Sequence, residues 1–238
     1  LEPMNHLLTP PIHGEALDMQ AQRELAMAAT LYHWAVHPWA VYTVLGLSLA
    51  FFSYNKGLPL IIRSALYPLF GERIWGWTGH IVDILAVIAT LFGLATSLGY
   101  GAEQITGGLS YLFGIAGDNQ IKIGVVAVIT VMAMISLMKG LDGGIKRLSE
   151  INMILAGLLG GYILFMGSTI EIIEAFFGNV VAYVQYLPAL SNFVGREDNY
   201  YMHDWTTFYW SWWIAFSPFV GMFIARISKG RTVREFII

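Results

Sequence analysis

The stretch LYHWAVHPWAVY, residues 31–42, gathers two tryptophans, two tyrosines and two histidines around one proline. Its chemistry depends on which of these rings act together. His33 and His37 are four residues apart, a spacing that sets two imidazoles on one helical face, where they could ligate a metal or a haem iron. Pro38 argues against that use. The residue before a proline is pushed away from the α region, and proline favours the first turn of a helix. One helical face therefore does not run through both histidines. Polar side chains satisfied at a helix entrance are the better reading, and neither a metal nor a cofactor is expected.

The aromatic rings carry a stronger signal. A second cluster, TTFYWSWWIAFSPFVG, occupies residues 206–221. Six of the eight tryptophans fall in or beside these two clusters: Trp34, Trp39, Trp205, Trp210, Trp212 and Trp213. Interfacial belts scatter aromatics over many helix ends; here they concentrate in two places and reach into an apolar span. A group of π faces with few charges suits a quaternary ammonium. That cation has no N–H to donate and is held by cation–π attraction and dispersion.

Other chemistry is sparse. Asp83 and Glu103 sit near opposite ends of one apolar segment. Ionisable residues within a span are functional candidates, yet both of these can reach an interface. The chain has no HExxH, no nucleophile elbow, no phosphate-binding glycine loop and no cysteine, so no enzyme is expected. The net charge of -3 and the lack of a long basic run leave nucleic-acid binding without support.

The elements that carry these residues are membrane helices. Of 238 residues, 56% are hydrophobic and 12% charged, about half the usual charged share. The apolar runs predict an all-α integral membrane protein with five spanning helices, at roughly 32–53, 79–112, 121–139, 147–169 and 205–227. Residues 58–71, with two prolines and Arg63, suit a short interfacial helix. Residues 170–187 suit another: Glu171, Glu174, Gly178, Ala182 and Gln185 form a narrow stripe at 100° per residue. Alternating five spans, with the basic end of the last one in the cytoplasm, puts 10 of 13 Lys and Arg on that side. Small residues at Ala89, Gly93, Ser97 and Gly101, and at Gly157 and Gly161, predict seams for close helix packing. The opening without an initiator methionine and the apolar end fit an excerpt of a longer protein.

At the aromatic segments the chain resembles the betaine/carnitine/choline transporter family. HWAVHPWAVY is similar to that family's fourth transmembrane helix, and FYWSWWIAFSPFVGMFIARISKGRTVREF to its signature on the eighth. IRSALYPLFG, VDILAVIATLFG and GGIKRLSEINM also match family patterns, so the resemblance covers nearly the whole chain. It implies that residues 1–238 are part of a transporter domain in the inverted-repeat fold shared with sodium-coupled amino-acid transporters. The excerpt would hold the first repeat without its opening helix, plus the first helix of the second.

The resemblance further implies a multi-pass homotrimer of the bacterial inner membrane, with residues 170–187 contributing to trimer contacts. It implies a secondary transporter for quaternary-ammonium solutes, glycine betaine first, working by ion-coupled alternating access. The alternatives are a proton-coupled choline or carnitine carrier of the same family and, from another class, a non-transporting membrane scaffold. The resemblance implies that the substrate cage falls on Trp34, Trp39, Tyr42 and Trp213, with Trp210, Trp212 and Phe216 along the access path. Position 216 is often tryptophan in the family. Thr90 and Phe219 match residues of a sodium site, but the second threonine of that site is Leu94 here. Leucine offers no oxygen, and the coupling ion, Na+ or H+, stays open. Pro38 is expected to start or redirect its helix so that Trp34 and Trp39 face one cavity.

Overall fold

Apolar runs fold as helices because a helix satisfies its backbone within one segment. A computed structural model describes residues 2–12, 17–196 and 200–237, and the regular structure among them is all helical. In chain order these are α1 (Glu2–Leu8), α2 (Met19–Trp34), α3 (Val36–Ala50), α4 (Ile62–Ala65), α5 (Tyr67–Phe70), α6 (Trp77–Phe113), α7 (Asn119–Met138), α8 (Lys146–Met166), α9 (Thr169–Ser191), α10 (Thr207–Ile227) and α11 (Val233–Ile237). Wider π turns continue α3 through Phe51–Asn55 and lead into α10 through Tyr200–Thr206. Among the described residues, six helical stretches are long and apolar enough to cross a membrane. The sixth is α9, expected from the sequence as a surface helix. Its charged stripe is narrow and most of its other residues are apolar, so it meets the length and composition of a span as well.

The chain forms two units, Leu1–Leu94 with Gly178–Ile238, and Ala95–Phe177. In the first, Asp18 starts α2, accepting the Ala21 N–H on Oδ1 at 2.8 Å. Leu25, Ala28, Ala29 and Tyr32 then line one face of α2 at helical spacing. They pack with Ala182, Tyr183 and Leu190 of α9 and with Tyr201. This half of α9 is therefore docked on a neighbouring helix.

The break between α2 and α3 falls at Ala35, with φ −95° and ψ −120°. Pro38 has no N–H, and its ring would collide with the carbonyl four residues earlier in a continuous helix. The chain relieves this by turning at Ala35 and restarting with Pro38 as the third residue of α3. The expected redirection is thus present.

α3 and α10 make the main helix crossing of this unit. It is close because glycine meets glycine. A Cβ on Gly46 would lie 3.3 Å from the Gly221 carbonyl, and one on Gly221 would lie 3.0 Å from Leu45 Cγ. Gly221→Leu should therefore force the helices apart and cost about 1–3 kcal/mol. A thermal melt of the purified carrier would register the loss, and an unchanged melt would contradict this crossing.

The second unit holds the latter part of α6, α7, α8 and the start of α9. Asp118 caps α7 through the Ile121 N–H at 2.9 Å, and Lys122 reaches back to Glu103 of α6 at 2.6 Å. α6 runs unbroken through Gly99 and Gly101. Among the described residues the first predicted seam is packed only in part and the second is open. Gly93, in the first unit, would bring a Cβ within 3.0 Å of Phe216 Cδ2; Gly101, Gly157 and Gly161 meet no atom within 4 Å.

Candidate functional site

The site is built where α3 crosses α10. Trp213 lies 5.2 Å from Trp34 and 6.1 Å from Tyr42, and Tyr42 lies 6.0 Å from Trp39. These ring planes meet at 77°, 88° and 90°. Edge-to-face contacts turn successive π faces in different directions, as the walls of a box do. Tyr42 is 6% exposed and forms the floor; Trp34 and Trp39 are 46% and 60% exposed and stand open. All four residues expected for the cage are therefore linked in one group.

The helix break positions this group. A continuous helix would spend the His33 carbonyl on the His37 amide. After the break at Ala35 that carbonyl accepts the Trp213 indole N–H, at 2.9 Å. One proline thus separates Trp34 from Trp39 and supplies the acceptor that orients Trp213.

The other predicted aromatics divide. Trp212 stacks on Trp213 at 5.0 Å and 6° and comes within 6.1 Å of Trp34. Phe216 packs on Phe219 at 5.5 Å, one turn further along. Trp210 lies on another flank of α10, where it meets Tyr32 at 5.3 Å and His37 at 5.7 Å and packs against the α2–α9 core. At 100° per residue Trp210 stands 60° from Trp213 on the side away from Trp212, a separation that the sequence spacing already contains.

Glu2 and Tyr209 are two site residues that the sequence reading does not single out. Glu2 is buried, and its carboxylate meets four polar groups. Oε2 accepts the Trp34 indole N–H at 2.9 Å and the Tyr209 hydroxyl at 2.8 Å. Oε1 faces His33 Nδ1 at 2.6 Å and His6 Nε2 at 3.2 Å. Burial alone raises a carboxyl pKa; here the hydrogen bonds from His33 and His6 outweigh it and hold Glu2 at about 2. A permanent negative charge thus sits behind Trp34, and it favours a cation in front of that ring. The available signal was EPMNH, an acid and a histidine one helical turn apart.

His33 and His37 do not act as a pair. His33 turns to Glu2 and Thr206, while His37 lies beside Trp210 and the Tyr183 hydroxyl. Among the described residues, the group with metal-ligating geometry is instead Glu2, His6 and His33.

The coupling-ion candidates also meet. Thr90 and Phe219 line one cavity of about 330 Å³, together with Pro218, Met222 and Asp83. The Thr90 hydroxyl donates to the Ala86 carbonyl at 2.8 Å, as a helical threonine commonly does. Leu94, one turn on, is 45% exposed and brings no oxygen.

Asp83 has a partner that its place in a span left unidentified. The Arg63 side chain donates to it at 2.6 Å and the Arg63 amide at 3.1 Å. Arg63 also reaches the Ile74 carbonyl at 3.2 Å. This fastens the segment around α4 to the start of α6. Arg63→Ala should leave the half-buried Asp83 carboxylate with the backbone amide but without its charged partner, and cost about 1–3 kcal/mol. Removing Asp83 as well should recover part of it, and a double-mutant cycle on thermal stability that shows no coupling would contradict the pairing.

Comparison with known proteins gives the family. The model of the BCCT, betaine/carnitine/choline family transporter matches residues 1–238. A glycine betaine/proline/choline transporter of Vibrio parahaemolyticus is 58% identical over 228 residues, covering 96% of this chain and 41% of that protein. A glycine betaine transporter of Acinetobacter baylyi is 43% identical over 238 residues, covering 100% of this chain and 36% of that protein. The glycine betaine transporter OpuD of Bacillus subtilis is 42% identical over 240 residues, covering 100% and 47%. The chain thus spans less than half the length of these curated relatives. With its six apolar helices and a family match from end to end, this multi-pass membrane chain belongs to the betaine/carnitine/choline transporter family.

Proposed function

We propose that this chain supplies the substrate cage of a secondary transporter for quaternary-ammonium solutes, glycine betaine first. The observation that carries the reading is the linked group Trp34, Trp213, Tyr42 and Trp39, backed by the ionised Glu2. The rings supply cation–π attraction and dispersion to a trimethylammonium head. The carboxylate adds a favourable field without offering a contact that an ammonium lacking N–H could use. The relatives named for glycine betaine point to the same substrate.

In this reading residues 1–238 form helices four to eight of the carrier, in an inverted-repeat fold that alternates access to a midplane site. Trp212 and Phe216 continue the aromatic face from the cage along α10. The basic residues favour five crossings with α9 at the surface. A sixth crossing would put Arg226, Lys229, Arg231 and Arg234 opposite Lys139, Lys146 and Arg147. The carrier would sit in a bacterial inner membrane as a homotrimer, α9 contributing contacts. It needs no cofactor and catalyses no covalent chemistry.

Transport is coupled to Na+ or H+. The cavity holding Thr90, Phe219 and Asp83 is the place where a coupling cation would act in this half. Uptake of labelled glycine betaine by the full-length carrier, in cells lacking their own osmolyte carriers, tests the reading. Choline and carnitine serve as competitors, with and without sodium. Sodium-dependent betaine uptake means that Leu94 does not abolish sodium coupling. Uptake that ignores sodium and collapses with the proton gradient assigns H+ and moves the protein toward the choline-type carriers. No uptake of any quaternary ammonium discards the substrate class.

A further inference from the structure

We propose that Glu2, His6 and His33 form a binding site for one divalent transition-metal ion of the zinc type, Zn2+, Co2+ or Ni2+. All three side chains are buried, and their ligand atoms lie within 4.8 Å of one another. Oε1 of Glu2 is the common point, 2.6 Å from His33 Nδ1 and 3.2 Å from His6 Nε2. Two imidazole nitrogens and one carboxylate oxygen make a zinc donor set with a fourth position left open. Imidazole selects against Mg2+ and Ca2+, which take oxygen ligands.

The surroundings hold these donors in place. His33 Nε2 is 3.0 Å from Thr206 Oγ1, an acceptor for its N–H. Ion binding selects the Nε2–H tautomer, which turns the Nδ1 lone pair to the ion in place of the proton shared with Glu2 and makes Thr206 the outer partner a metal-ligating histidine needs. The His33 ring is stacked between Tyr201 at 5.3 Å and Tyr209 at 4.7 Å. The His6 ring is wedged by Tyr201 at 5.4 Å and Trp205 at 5.1 Å. His6 Nδ1 is buried without a hydrogen-bond partner, so this imidazole spends its polar contact on Oε1. Such locked rings preorganise a site.

Glu2 divides its two oxygens between two tasks. Oε2 is engaged by Trp34 and Tyr209, so an ion on Oε1 leaves the aromatic anchor intact. The ion does cancel the negative charge behind Trp34. This consequence rests on the proposed cage: metal and quaternary ammonium should each weaken the other's binding, by the same factor, about 5-fold or more.

The test uses full-length carrier purified without a histidine tag, stripped with a chelator and titrated with Co2+. The expected result is one saturable Co2+ per chain, seen by its visible absorption and bleached by Zn2+. His6→Ala should weaken it at least about tenfold, since losing even an outer-shell partner costs that much. Glu2→Gln, which keeps the volume and removes the charge, is a second variant should His6→Ala fail to fold. His203→Ala, at an exposed histidine, should leave the titration unchanged. No saturable cobalt band overturns the proposal, as does a band that survives both His6→Ala and Glu2→Gln. The cobalt band reads the metal site alone: a normal band without betaine uptake would discard the cage and keep the metal.

Discussion

Replacing Trp213 with leucine should weaken glycine betaine binding by about 30-fold. A desolvated cation–π contact is worth about 2 kcal/mol, and about 1.4 kcal/mol is a factor of ten. Trp213 is the central ring of the group, in contact with both Trp34 and Tyr42. Leucine keeps an apolar surface and the helical backbone, so insertion and folding should survive while affinity falls. It also frees the His33 carbonyl, which now accepts the Trp213 N–H. Trp213→Phe separates the two effects: it keeps a π face but loses that hydrogen bond, and should fall between wild type and leucine. Concentration-dependent uptake is the readout, with surface expression as control. An unchanged half-saturation concentration in both variants would remove Trp213 from the cage.

Glu2→Ala should be the most damaging single change to folding, at about 1–3 kcal/mol for each buried polar group left without its partner. It removes the partner shared by Trp34, Tyr209, His33 and His6, leaving Trp34 the Tyr209 hydroxyl and His33 the Thr206 hydroxyl. Glu2→Gln should be far milder, for a reason specific to these partners. The indole of Trp34 can only donate, whereas a histidine can change tautomer and accept. Glutamine can therefore keep its oxygen on Trp34 and Tyr209 and turn its NH2 to the two imidazoles. Fluorescence-detected size exclusion after heating would rank the variants. A glutamine variant as unstable as alanine would mean that the charge, and not the set of acceptors, holds this corner.

Acid stability carries the same sign. Glu2 is held at about 2 when folded, below its ordinary value of 4.5. A depressed carboxyl stabilises the fold above its unfolded pKa and loses that contribution as pH falls from 4.5 towards 2. The wild type should lose stability across that window, and Glu2→Gln should lose less.

The sequence spoke most clearly where the information was local. The apolar runs gave the spans to within a few residues at most boundaries. Pro38 predicted a redirected helix, and the break appears three residues earlier because a proline ring interferes with the preceding turn. The linked group of rings was legible because both clusters are short runs. Glu2 was not, because its meaning lies in contacts with His33, Trp34 and Tyr209, up to 207 residues away. Asp83 stands out as a charge in a span, but its partner Arg63 lies 20 residues back in a segment whose pattern is that of an interfacial helix. Trp210 shows the converse limit. A tryptophan-rich run invites one role for all its members, yet a helix turns them to different sides, and Trp210 packs on Tyr32.

The central claim is that the positive charge of the substrate is what the rings recognise. The most direct measurement is competition by 3,3-dimethylbutanoate against labelled glycine betaine in the full-length carrier. It has the same shape and carboxylate, with carbon in place of the ammonium nitrogen. If cation–π attraction and the Glu2 field hold the substrate, the neutral-headed analogue should compete at least about 30-fold more weakly, the equivalent of about 2 kcal/mol. Equal competition would mean that the four rings bind by shape and dispersion alone, and the cation cage would be wrong.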